Sequence, residues 1–192
     1  MLKYQDETYG IMTTRFNLDT LRENRCFLQH YQKKHPNIEC VYGSPSPIKE
    51  IVPLHTILFV IEMLNISSTK HPDYPGKIVG IGIIRNTLIY RKLPIYHNNN
   101  YNRYIYQGKF RIHISSEDLD EIGQSYIRRM EYALFKSPRH QKRSDGITLL
   151  PRHILEAFPA FAIFLVGHTN QHLIGSSHAY DRTDDELNTQ TN

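Results

Sequence analysis

The chain has no tryptophan, only two cysteines, no long apolar run and, between Asp73 and Glu117, no acidic residue at all. Without tryptophan there is no indole-walled base cage. Cys26 and Cys40 alone cannot supply a disulfide framework, so reduced thiols and an intracellular setting, cytoplasmic or nuclear, are expected. No apolar segment approaches the roughly 20 residues that cross a bilayer, and MLKYQDETYG lacks the charged-then-apolar pattern of a signal peptide. The sequence therefore predicts no membrane partner. Also missing are GxSxG, a Walker loop, a dinucleotide fingerprint and any nucleophile, base and partner set, so neither a catalytic residue nor a cofactor is expected.

What remains is ordinary globular material. With 192 residues, 40% hydrophobic and 22% charged, one domain with a sizeable core is expected over 1–174, followed by a polar tail over 175–192. The net charge of +4 is modest, but its distribution is uneven. Lys77, Arg85, Arg91, Lys92, Arg103, Lys109 and Arg111 fill the stretch without acids, interleaved with six of the thirteen tyrosines. A second cluster, Lys136, Arg139, His140, Lys142 and Arg143, lies in KSPRHQKRSDG, where Pro and Gly mark a loop.

Element order reads as α+β. Leu18 to about Lys34 predicts a helix capped by Asn17 or Asp19, with Pro36 beyond its end. Glu39 to Tyr42 reads as a short strand, and Ser46 with Glu50 suggests a short helix over Ile48 to Ile51. HTILFVIEM (55–63) is apolar on both parities, as in a strand buried on both faces, and KIVGIGIIR (77–85) is its expected antiparallel partner. Gly80 and Gly82 mark a bulge, a bend or a close approach. YIYQGKFRIHI (104–114) predicts a strand bent at Gly108. SSED opens a helix over Glu117 to Phe135, Ile147 to Leu150 reads as a short strand, Pro151 starts a helix through Phe158, and AFAIFLVG docks last.

The segments ECVYGSPSPIKEI, ILFVIEM, KIVGIGIIR, YIYQGKFRIHI and GITLLPRHILEAF, in this order over 39–158, resemble the PUA-like superfamily that includes EVE, YTH and ASCH domains. That resemblance implies a small curved PUA-like β-barrel flanked by helices, here with an added N-terminal helix. It also implies a ligand pocket near the turn holding Tyr42 and Ser44. EMLN, GIGIIRN, YNRYIYQGKFRI and FKSPRHQKRSDGIT together resemble a protein family of large DNA viruses, which implies a viral setting and no activity.

The residues themselves point to nucleic acid. Arginines and lysines neutralise phosphates, while tyrosine faces stack on unpaired bases and asparagine amides bond their edges. The expected contacts are Arg91, Lys92, Tyr101, Asn102, Arg103, Tyr104, Arg139, His140, Lys142 and Arg143, binding DNA or RNA through an unpaired or modified nucleotide. Tyrosine and arginine also dominate protein hot spots, so a viral structural or assembly protein acting through protein partners is the alternative. A metal-dependent nuclease would need Glu62, Asp73 and Glu117 to converge, although they are scattered singly. Cys26, His30, His35 and Cys40 fall within fifteen residues as possible zinc ligands, but not at the spacing of a recognised finger, and no metal is expected. Glu62, at the end of an apolar strand, needs a partner, for which Arg85 or Arg111 is available.

Overall fold

The computed structural model of the chain describes residues 2–4, 7–66, 76–115, 119–141 and 145–177. Eight strands and four helices follow in the order β1 (Leu2–Tyr4), β2 (Glu7–Phe16), α1 (Leu18–Gln32), β3 (Cys40–Ser44), β4 (Ile57–Asn65), β5 (Gly76–Arg85), β6 (Tyr104–Gly108), β7 (Phe110–Ile112), α2 (Glu121–Glu131), β8 (Thr148–Leu149), α3 (Arg152–Ala157) and α4 (Pro159–Ser177).

The main sheet runs β1-β2-β4-β5-β7, and β8 pairs with β2 on the edge that also carries β1. Among the described residues only β2 and β4 run parallel, from Tyr9 opposite Ile57 to Phe16 opposite Leu64. Parity then assigns the two faces. Tyr9, Ile11, Phe59, Ile61, Met63, Ile81 and Ile83 pack under α2, α3 and α4 with Ile127, Met130, Ile154, Phe161 and Leu165. Met12, Phe16, Leu58, Val60, Leu64 and Ile84 face the other way, toward α1 and a second ladder of β3 with β6. Burial on both faces is why β4 reads as almost wholly apolar; each fully buried large aliphatic side chain is worth about 1.5–3 kcal/mol.

Three features place the second ladder. Gly108 ends β6, and a Cβ there would overlap the carbonyl of Ile83, so the chain turns at glycine from the small ladder into the main sheet as β7. In β5 the register against β4 shifts between Glu62 and Met63, leaving Val79 as an extra residue. At Gly82 a Cβ would overlap the Tyr42 hydroxyl, which makes this a close approach between layers. The expected bend at Gly108 is thus present, and of the three explanations offered for the β5 glycines a bulge, at Val79, and a close approach, of the Tyr42 side chain at Gly82, are found.

The α+β class stands, while the two ladders remain separate and form no closed barrel among the described residues. The N-terminus contributes more than a helix. β2 lies inside the sheet, and α4 supplies core side chains, so the buried unit extends past 39–158 on both sides. The short helix expected over Ile48 to Ile51 is absent. These residues form an irregular turn in which the Ile48 N–H donates to the Tyr106 hydroxyl at 3.0 Å instead of to a helical carbonyl. Helix α2 starts at Glu121, with the Asp120 carboxylate accepting from the Gly123 N–H, rather than from SSED, three of whose residues lie outside the described residues. Most of the expected tail, 178–192, also lies outside them.

Candidate functional site

Strand β3 carries Cys40 and Tyr42 over the β5 glycines, and beneath them sits Glu62, with no exposed surface. The Tyr42 hydroxyl donates to Glu62 Oε1 at 2.8 Å. Arg111 donates to the same carboxylate from Nη2 at 2.7 Å and from Nε at 3.2 Å, and Arg25 of α1 pairs with Oε2. Burial alone would raise the Glu62 carboxyl, but Arg111 and then Arg25 override it and hold the group below its usual range. Burial pushes the Cys40 thiol up to about 12 and the Tyr42 hydroxyl well above its ordinary value. A carboxylate saturated by two guanidiniums and a phenol has no free lone pair for catalysis. Arg111 is the expected structural partner of Glu62; Arg85 instead donates to the His55 carbonyl.

A cleft of about 430 Å³ opens beside this network, where β2 and β4 end and α1 begins. Its lining comes from Thr14, Arg15, Phe16, Asn17 and Thr20, from Gly43 and Asn65, from Tyr96, Asn98 and Tyr101, and from Asp145 and Gly146. Glycine is required at two of these places. A Cβ on Gly43 would overlap the Tyr101 carbonyl, and Gly146 has φ +73° under the Ser44 hydroxyl. Asn17 caps α1 by accepting from the Thr20 N–H at 2.8 Å, and Asn98 caps a single 3-10 turn by accepting from the Asn100 N–H at 3.1 Å. Asn65 accepts from Arg15 Nη1 at 3.0 Å. Across the mouth, the Tyr101 hydroxyl donates to Asp145 Oδ1 at 3.2 Å, and burial, then Asp145, raises the Tyr101 pKa.

Tyr96 joins the cleft to the buried network. Its hydroxyl accepts from Asn24 Nδ2 at 3.2 Å, and Asn24 Oδ1 in turn accepts from Arg25 Nη1 at 2.9 Å. Burial raises the Tyr96 pKa, so the phenol stays neutral.

The structure sorts the expected contacts. Tyr101 stands in the cleft wall, and Tyr104 is half buried on β6 opposite Ser44. Asn102 is a clasp: its Oδ1 accepts from the Ile95 and Tyr96 N–H groups and its Nδ2 donates to the Tyr96 carbonyl at 2.7 Å. Its amide therefore shapes the turn. Arg103 is exposed, with Asn100 within reach. Arg91 and Lys92 are exposed beside Tyr90, itself 99% exposed. Arg139 and His140 are exposed in the basic loop, where His140 Nδ1 donates to the Ser137 carbonyl at 2.9 Å; Lys142 and Arg143 lie outside the described residues. Tyr42 and Ser44 flank the cleft but turn inward, Tyr42 to Glu62 and Ser44 to the Ser46 carbonyl, so Gly43 between them forms the wall.

No group of three or more metal-ligating side chains occurs among the described residues. Cys40 is buried while Cys26 is exposed, and His30 donates to the Cys26 carbonyl. Asp73 and Glu117 lie outside the described residues. No helix among them is long and apolar enough to cross a membrane. Asn17, Asn65, Arg15 and Asp145 were not singled out as ligand contacts in the sequence, where Asn17 signals only a helix cap and Asp145-Gly146 only a turn. Comparison with protein families, with curated proteins and with solved structures finds no match for the chain.

Proposed function

We propose that the chain is a non-catalytic nucleic-acid-binding module that captures a phosphate backbone on its basic loops and takes one unpaired nucleotide into the cleft beside Tyr101. One observation carries this reading. The two segments marked independently by composition, HNNNYNRYIY and KSPRHQKRSDG, meet at one cleft, joined by the Tyr101 to Asp145 hydrogen bond. The cleft falls in the size range of small-ligand sites, with a ring on one wall and three asparagines in its lining, which suits a base better than a protein side chain. Exposed Arg91, Lys92, Arg103 and Arg139 supply phosphate contacts that carry affinity without sequence information. The strand bent at Gly108 and the crossing β3–β6 ladder support a PUA-like reading of the fold.

Fluorescence anisotropy with single-stranded and duplex DNA and RNA at two salt concentrations tests this. Binding that weakens with salt, and prefers single strands in wild type but not in Tyr101→Ala, is the expected result. No binding at low salt to any of the four probes refutes it. The second reading, a protein-docking face, rests on Tyr90, Ile51 and Leu54, which are fully or largely exposed. An aromatic-anchored protein contact would be nearly insensitive to salt.

A further inference from the structure

The polar groups of the cleft are not balanced between donors and acceptors. Asn17 Oδ1 is committed to the Thr20 N–H, Asn98 Oδ1 to the Asn100 N–H and Asn65 Oδ1 to Arg15. Because each partner is a donor, the oxygen and nitrogen of all three amides are assigned by chemistry, and each Nδ2 presents two N–H donors with no protein partner among the described residues. Tyr101 gives its one hydroxyl proton to Asp145, so it has none for a ligand. Asp145 itself is exposed and keeps Oδ2 as an acceptor. Thr14 lies in the wall, 5% exposed, with no side-chain partner among the described residues.

Three amide donors and one carboxylate lining the same cleft offer the complement of a lactam. In such a ring an N–H sits beside a carbonyl: the N–H meets the carboxylate, and the carbonyl, with two lone pairs, takes amide donors. Guanine offers N1–H with its exocyclic amine to one carboxylate and O6 to the amides. Uracil and thymine offer N3–H between two carbonyls. Adenine has no carbonyl, and on the pairing edges of adenine and cytosine the ring nitrogen carries a lone pair that opposes a carboxylate. We infer that the cleft selects guanine, uracil or thymine over adenine and cytosine, through the Nδ2 groups of Asn17, Asn65 and Asn98 and the carboxylate of Asp145. This inference rests on the nucleotide reading above.

The test uses short single-stranded probes with an abasic background and one central guanine, uracil, adenine, cytosine or abasic position, titrated by anisotropy against the full chain. Guanine and uracil should bind roughly tenfold more tightly than adenine, cytosine or the abasic site, the discrimination expected of one good two-point base contact. A 1-methylguanine probe, which lacks the lactam proton, should fall to the adenine level. Asn17→Asp and Asn98→Asp keep a capping oxygen but remove the amide donors, so these folded variants should lose the preference. Competition by free GMP but not AMP would support the inference with a mononucleotide as the source; preference seen only in the probes would support it with a polymer. Binding that disappears in Tyr101→Ala yet ranks all four bases equally, or favours adenine or cytosine, would overturn the lactam inference while sparing the nucleotide reading. Binding indifferent to Tyr101→Ala and to removal of the base would overturn both.

Discussion

Glu62 and Asp145 are both carboxylates that accept from a tyrosine, and their surroundings differ: one is sealed in the fold and the other exposed at a cleft. Glu62, with Tyr42, is sealed between the main sheet and the small ladder and is saturated by Arg111 and Arg25. Asp145, with Tyr101, stands exposed at the mouth of a cleft whose amide donors lack protein partners among the described residues. Around Glu62 the fold has matched charge with charge, because an unmatched buried charge is prohibitively costly. Around Asp145 the fold leaves hydrogen-bonding capacity open to the cleft. The comparison shows that a titratable cluster with perturbed pKa values can serve as scaffold, whereas the proposed ligand position is marked by amide donors without protein partners among the described residues.

The contrast breaks most visibly at Glu62. Glu62→Gln leaves two guanidiniums without a counter-charge and should cost about 3–5 kcal/mol of stability in urea denaturation, with probe affinity per folded molecule unchanged. Gly82→Ala should cost about 1–3 kcal/mol by pushing a methyl group against the Tyr42 hydroxyl and Cys40 sulfur; Tyr42→Phe in the same chain should recover part of it.

Acid and alkali sharpen the same contrast. The Glu62 carboxyl has a lowered pKa in the fold, so its stabilisation is complete above the ordinary carboxylate value of about 4.3 and is lost as pH falls through the lowered one. Urea midpoints should therefore drop on acidification, more shallowly in Glu62→Gln. Cys40 is raised, so its contribution is complete below the ordinary thiol value of about 8.5 and is lost as pH rises toward about 12. Thiol labelling at neutral pH should modify Cys26 alone in the native chain and both cysteines after unfolding, because Cys40 is buried and un-ionised. The smallest stability effect is expected at the cleft: Asn98→Asp should stay within about 0.5 kcal/mol of wild type while changing base preference.

Much of the frame was legible in the sequence. α1, β4, β5 and the bent β6–β7 strand each carry a local signal: a cap, an apolar run, or a glycine at the bend. β2 escaped because Thr13, Thr14 and Arg15 interrupt its apolar pattern, and Thr13 and Arg15 bond to residues far away in sequence, Thr148 and Asn65 among them. The turn at Ile48 mimicked a helix start because Ser46 and Glu50 look like a cap, whereas the deciding partner, Tyr106, is far away in sequence. The same reason hid half of the cleft. Tyr101 and its asparagine-rich segment stand out by composition, but Asn17, Asn65 and Asp145 reach one wall only through the parallel pairing of β2 with β4 and the return of the basic loop.

The most direct test of the cleft as the nucleotide site is an NMR titration of the isotopically labelled chain with a short single-stranded oligonucleotide, following backbone amides and asparagine side-chain NH2 signals. The account predicts that the side-chain signals of Asn17, Asn65 and Asn98 shift together with the backbone signals of Gly43 and Gly146. Shifts confined to Tyr90, Arg91 and Lys92, with the asparagine signals unmoved, would contradict it.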